Sequence, residues 1–211
     1  MHIPKQFAQT DIEAMHEVTL ANPLESLVST GSAGLSVDHI PFELATNQGS
    51  SGALLGHVAR VNPLWREGSS SLEVLVVFHG AGAYVSPSWY PNKQRTDKVV
   101  PTWNYVVVHA YGSIRMVEEK HWIRGHTERL VNREESKFDR PWSVTDAPED
   151  FIEKMPGAIV GIEIEITRLD GKWKLSQNRS ALDRAGVTEG LRNLGAPRSK
   201  QMAEYVENWK S

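Results

Sequence analysis

Apolar and polar residues alternate most regularly between Ile159 and Leu169, where Ile162, Ile164 and Ile166 fall on one face and Glu163, Glu165 and Thr167 on the other. That is the period-two signature of a half-exposed strand. Asp170-Gly171 then reads as a hairpin turn returning the chain into a strand over Lys172–Gln177. Nearer the start, Leu24–Thr30 and Leu35–Leu44 flank Gly31-Ser32-Ala33-Gly34 and predict another hairpin. Its second arm contains His39-Ile40-Pro41-Phe42, whose proline belongs at an edge or a bulge. Ala53–Val61 is stopped by Asn62-Pro63. Leu72–Phe78 is extended past His79-Gly80-Ala81-Gly82 through Ala83–Ser86. Asn104–Ala110 precedes Gly112, which marks a bulge or turn before Ser113–Val117.

Helical spacing appears in fewer places. Thr10-Asp11-Ile12-Glu13 has the form of a capping box, with Ile12, Met15, His16 and Thr19 following as a short helix that ends before Asn22-Pro23. From Glu118 onward, Trp122, His126 and Leu130 form a stripe with Ile123 and Thr127 beside it, which reads as core packing. Asp146 and Glu149 cap a short helix through Met155. Two terminal helices follow, Ala181–Leu194 and Ser199–Lys210. The pattern predicts a mainly β domain with peripheral helices, α+β in class, closed to avoid bare edges.

Candidate chemistry gathers in Ser86–Tyr105. Ser86-Pro87-Ser88-Trp89-Tyr90 and Pro101-Thr102-Trp103-Asn104-Tyr105 are separated by a charged segment, Lys93 to Lys98, that reads as an exposed loop. Flat aromatic surface with a few hydrogen-bonding groups is what a ligand pocket needs. A second cluster, His57, Arg60, Asn62, Trp65 and Arg66, is dense in donors, and a guanidinium matches phosphate oxygens. Taken alone it equally fits surface charge at a strand end, and His39 alone fits a polar residue at a strand kink.

The chain has 211 residues with 40% hydrophobic content, enough to bury the core of one domain with room for a small appendage. A formal charge of −3 leaves no overall footprint for a polyanion. No cysteine is present, which fits a reducing compartment and excludes thiolate metal sites. MHIPKQFAQTD lacks a signal peptide's apolar region and no apolar run approaches membrane-spanning length, so a soluble cytoplasmic protein with no membrane association is expected. No Gly-x-Gly-x-x-Gly follows a strand, no His-Glu-x-x-His or Gly-x-Ser-x-Gly occurs, and no carboxylate pair stands out. Catalytic residues are therefore not assigned, and no metal is expected.

Five motifs in order carry a resemblance: His39-Ile40-Pro41-Phe42, His57-x-x-Arg60-x-Asn62-Pro63-x-Trp65, the two Trp motifs above, and Lys174-x-Ser176-Gln177-Asn178. Together, from Ile3-Pro4 to the helix after Asn178, they resemble the PaiB family, FMN-binding negative transcriptional regulators. His2 departs from the Tyr of the family's opening pattern. The resemblance implies a split β-barrel of the pyridoxamine-phosphate-oxidase-like, FMN-binding type over residues 1–178, with a helical extension over 179–211 packed on it. It also implies a homodimer with FMN at the subunit interface. On this basis His39, His57, Arg60, Asn62, Thr102, Trp103, Asn104, Lys174, Ser176 and Gln177 are the expected cofactor-binding residues, with Arg60 on the phosphate. Two functions follow from the family: a flavin-binding regulator with DNA or a regulatory protein as partner, or a flavin-dependent oxidoreductase or haem- or small-molecule-binding enzyme. Against direct DNA contact stands the absence of a helix-turn-helix or basic helix. For haem, His57, His109 and His126 are the available imidazoles.

Overall fold

A computed structural model describes residues 1–67, 73–93 and 99–209. The expected loop over Lys93 to Lys98 falls almost wholly outside the described residues, as do the first residue of the run from Leu72 and the last of the helix ending at Lys210. The elements, in order, are β1 (Ala8–Gln9), α1 (Ile12–Ala21), β2 (Leu24–Gly31), β3 (Gly34–Pro41), β4 (Glu43–Ala45), β5 (Ala53–Ala59), α2 (Leu64–Glu67), β6 (Glu73–Val85), β7 (Thr102–Val117), α3 (Lys120–Glu135), α4 (Glu149–Lys154), β8 (Ile159–Lys174), α5 (Ala181–Asn193) and α6 (Pro197–Asn208). Hydrogen-bonded neighbours follow the order β3-β2-β6-β7-β8-β5-β4, with β1 on β8 beside that path. The pairings of β2 with β3 and β6, of β5 with β4 and β8, and of β1 with β8 are antiparallel. Among the described residues, no helix is long and apolar enough to cross a membrane.

The chain divides into two compact units. The first holds residues 1–22, 78–109 and 170–211, and the second residues 23–77 and 110–169. Strands β6, β7 and β8 contribute residues to both.

In the second unit the β2–β3 hairpin forms as its Gly31–Gly34 turn predicts, with Gly34 in the left-handed region at φ 103°. Pro41 ends β3, consistent with a residue that cannot donate to a ladder. Helix α3 buries Ile123 and His126, and its Trp122 ring lies where a side chain at Gly161 would be. A Cβ there would sit 2.4 Å from the indole.

In the first unit, α1 is capped one residue later than expected. Asp11, not Thr10, accepts from the Glu13 amide at 2.9 Å, because a cap needs its carboxylate next to the first free N–H groups. Helix α6 buries Met202 and Val206, and Pro197 occupies its first turn. Trp89, in the 3-10 turn Pro87–Trp89, packs on α5: a Cβ at Gly190 would lie 2.3 Å from its indole, and one at Gly186 would lie 2.1 Å from its carbonyl oxygen.

At two glycines the structure departs from the expected turns. Asp170-Gly171 makes no hairpin, since β8 runs unbroken from Ile159 to Lys174. Gly171 pairs with Gln9 of β1, and a Cβ there would approach Met15 Sδ to 2.8 Å and Gln9 Cβ to 2.9 Å. The glycine serves close approach, not a turn. Gly112 likewise lies inside the continuous strand β7, where a Cβ would lie 2.1 Å from the Glu165 carbonyl oxygen.

Candidate functional site

The expected site residues fall into two groups, one in each unit. In the second unit, β5 places half-buried His57 against α3. His57 Nδ1 lies 3.2 Å from His126 Nε2, His126 Nδ1 lies 3.3 Å from Glu43 Oε2, and Arg129 Nε donates to Glu43 Oε1 at 2.6 Å. A relay of two imidazoles thus ends on a carboxylate that is itself clamped by a guanidinium. The His126 ring also stacks on Trp122, centroids 5.3 Å apart. Burial first, and the neighbouring imidazole second, push His126 down to about 4, with Glu43 pulling the other way. Burial also lowers His57. Both rings are therefore neutral near pH 7.

Arg60, just past β5, sits within the same unit and its donors are committed there. Nε donates to the Gly157 carbonyl at 2.9 Å, Nη2 to the Ile159 carbonyl at 3.2 Å, and Nη1 to Glu118 at 2.7 Å. Its guanidinium also lies 5.4 Å from the Trp65 ring centroid, and Trp65 Nε1 donates to the Arg60 carbonyl. Asn62 holds its loop, donating to Asp38 Oδ1 at 2.7 Å and accepting from the Leu64 amide at 2.8 Å. His39 is exposed on the hairpin, 3.3 Å from Ser26 Oγ.

In the first unit, the ends of β7 and β8 build a row of polar pairs. Lys174 Nζ donates to Thr102 Oγ1 at 2.5 Å. Fully buried Asn104 exchanges two bonds with Ser176, at 3.0 and 3.2 Å, and Ser176 takes a positive φ of 61° as the strand ends. Gln177 folds back on its own strand, donating to the Trp173 carbonyl and accepting from the Leu175 amide. Trp103, next to Thr102, is 59% exposed and meets Tyr84 edge-on at 6.0 Å. Thr102, Trp103 and Lys174 thus keep surface that can meet a ligand, whereas Asn104, Ser176 and Gln177 are occupied in ending the strand.

Comparison with known proteins agrees with the motif pattern. A family model described as "Putative FMN-binding domain" matches residues 1–168. The protein named "Protease synthase and sporulation protein PAI 2" of Bacillus subtilis is 34% identical, over 99% of this chain and 97% of its own length. The chain belongs to the PaiB family of FMN-binding domains. An uncharacterised Emericella nidulans protein is 36% identical, covering 98% of this chain and 96% of its own. The FAD- and haem-binding protein of Mycobacterium smegmatis shares the fold with a TM-score of 0.53 at 13% identity, over 79% of this chain and 73% of that one. The PaiB member described here is therefore a split β-barrel protein, and FMN is the cofactor its family description names.

Glu43 and Arg129 were not among the expected site residues, and His126 only as an imidazole available for haem. The available signal was a histidine on the buried stripe of α3, a polar group that needs partners where a leucine would need none.

Proposed function

We propose that this PaiB-family protein binds FMN as a homodimer in the cytoplasm and acts in gene control through the state of its flavin. The observation that carries the flavin reading is the Lys174–Thr102 pair beside the exposed Trp103. An ammonium and a hydroxyl suit a phosphate, and an uncovered indole offers flat apolar surface to a ring system. When bound, FMN supplies one- and two-electron transfer. The regulatory role rests on the Bacillus relative, whose name ties that protein to protease synthase and sporulation. The charge of −3 favours action through a protein partner over direct grip on DNA. An oxidoreductase remains the second reading, supported by the neutral imidazole relay at His57.

The test is a flavin titration followed by fluorescence. Lys174→Ala is expected to weaken FMN by roughly 2 kcal/mol, about thirtyfold, the worth of a charged hydrogen bond. Riboflavin, lacking the phosphate, should bind both proteins alike. Equal loss of both ligands would make Lys174 structural, and no FMN binding by the wild type would sink the reading.

A further inference from the structure

A cavity of about 230 Å³ lies in the second unit, lined by His57, Thr127, Val131, Ile152 and Ile159 among others. Its rim exposes three large apolar side chains, Trp142 at 44%, Phe151 at 53% and Met155 at 42%. A cavity of roughly 150 Å³ holds benzene, so this one suits a single ring with a short substituent. It is too small for the three fused rings of a flavin or for a porphyrin, and its use does not depend on the flavin reading.

The polar groups of the cavity have a definite sense. Glu43 accepts, so His126 carries its proton on Nδ1. Neutral His126 then offers only a lone pair at Nε2, which obliges His57 to carry its proton on Nδ1. His57 Nε2 is left as a bare acceptor with no partner among the described residues. Thr127 donates its hydroxyl proton to the Ile123 or Arg124 carbonyl, so it too can only accept. Among the described residues Arg124 is the one cation in the lining, and its Nε donates to Glu128 at 2.9 Å. Among the described residues no group of side chains could hold a metal ion.

We propose that this cavity binds a one-ring phenol, its ring among the apolar side chains and its hydroxyl donating to His57 Nε2. A ligand that only accepts hydrogen bonds leaves the imidazole lone pair unmet, whereas a phenol hydroxyl meets it.

The experiment is calorimetric titration of the full chain with 4-ethylphenol, 4-ethylanisole and ethylbenzene. The phenol should saturate at submillimolar concentration and bind at least tenfold more tightly than the ether or the hydrocarbon. His57→Phe, which keeps a ring and removes the acceptor, should bring the phenol down to the hydrocarbon's affinity. Ile152→Trp fills the cavity from α4 without touching the relay, and should weaken all three ligands at least tenfold even if His57→Phe does not fold. The proposal fails if the phenol and the ether bind alike, if nothing saturates at millimolar concentration, or if Ile152→Trp keeps full affinity. Self-association abolished by Ile152→Trp, with no phenol binding, would assign the cavity to a second copy and overturn it as well.

Discussion

Acid should destabilise this protein through His126 as the pH falls below the ordinary imidazole range. In the unfolded chain the imidazole titrates near 6.5, and in the folded protein at about 4. The folded state therefore binds fewer protons between these values. The contribution is fully present above pH 6.5 and is lost as pH falls toward 4, by at most about 1.4 kcal/mol per pH unit. Across the whole interval the loss is about 3 kcal/mol, a large part of a typical domain's stability of roughly 5–15 kcal/mol. His57, also lowered by burial, adds to it in the same direction. Glu134, bonded by Lys137, is held below the ordinary carboxylate range. Urea unfolding followed by circular dichroism at pH 7, 5.5 and 4.5 measures the slope, with His126→Leu as the reference that cannot titrate there. Wild-type stability should fall more steeply with acid than that of His126→Leu, even though the variant is weaker at pH 7 for losing Glu43 and His57 as partners. Parallel slopes in the two proteins would refute the assignment of the buried neutral state to His126.

Gly190→Ala should destabilise by roughly 1–3 kcal/mol in thermal unfolding: the added methyl meets the Trp89 ring, and overpacking outweighs the gain of about 1 kcal/mol in helix propensity. A neutral or stabilised variant would show that Trp89 yields freely. Arg60→Ala should cost about 1–3 kcal/mol in stability, by leaving the Gly157 and Ile159 carbonyls without their donor. The ratio of FMN to riboflavin affinity should stay unchanged, and a collapse of that ratio would return the phosphate to Arg60. Light scattering at micromolar concentration should give the mass of a dimer; a monomer would count against the proposed assembly. Any DNA binding in a gel shift should be weak, and tight salt-sensitive binding would revive direct repression.

The sequence exposed most of the fold because period-two alternation survives wherever one strand face is buried, as in Ile162, Ile164 and Ile166. The α3 stripe was equally legible, with Ile123 and His126 buried as its spacing implies. What misled was glycine. At 112 and 171 it meets backbone and side chains far along the chain, and a local pattern cannot distinguish that from a turn. The relay was hidden for a related reason. Glu43, His57 and His126 lie on β4, β5 and α3, and their bonds span 69 and 83 residues, so no motif window holds them together. The motif residues themselves were visible, but whether a side chain faces outward or closes its own strand was not. Gln177 and Trp103 belong to the same motif set with opposite fates.

The glycine sockets for Trp89 and Trp122 also constrain how this chain can drift. At Gly190 and Gly161 a methyl lands within 2.3 and 2.4 Å of an indole atom, so any side chain added there is costly while the ring stays. The reverse order is less closed, because shrinking the tryptophan first leaves a void that a later alanine can partly fill. Each pair is thus a ratchet with one permissive direction. A lineage that has lost the indole can refill the socket, after which regaining the tryptophan requires the glycine to return first.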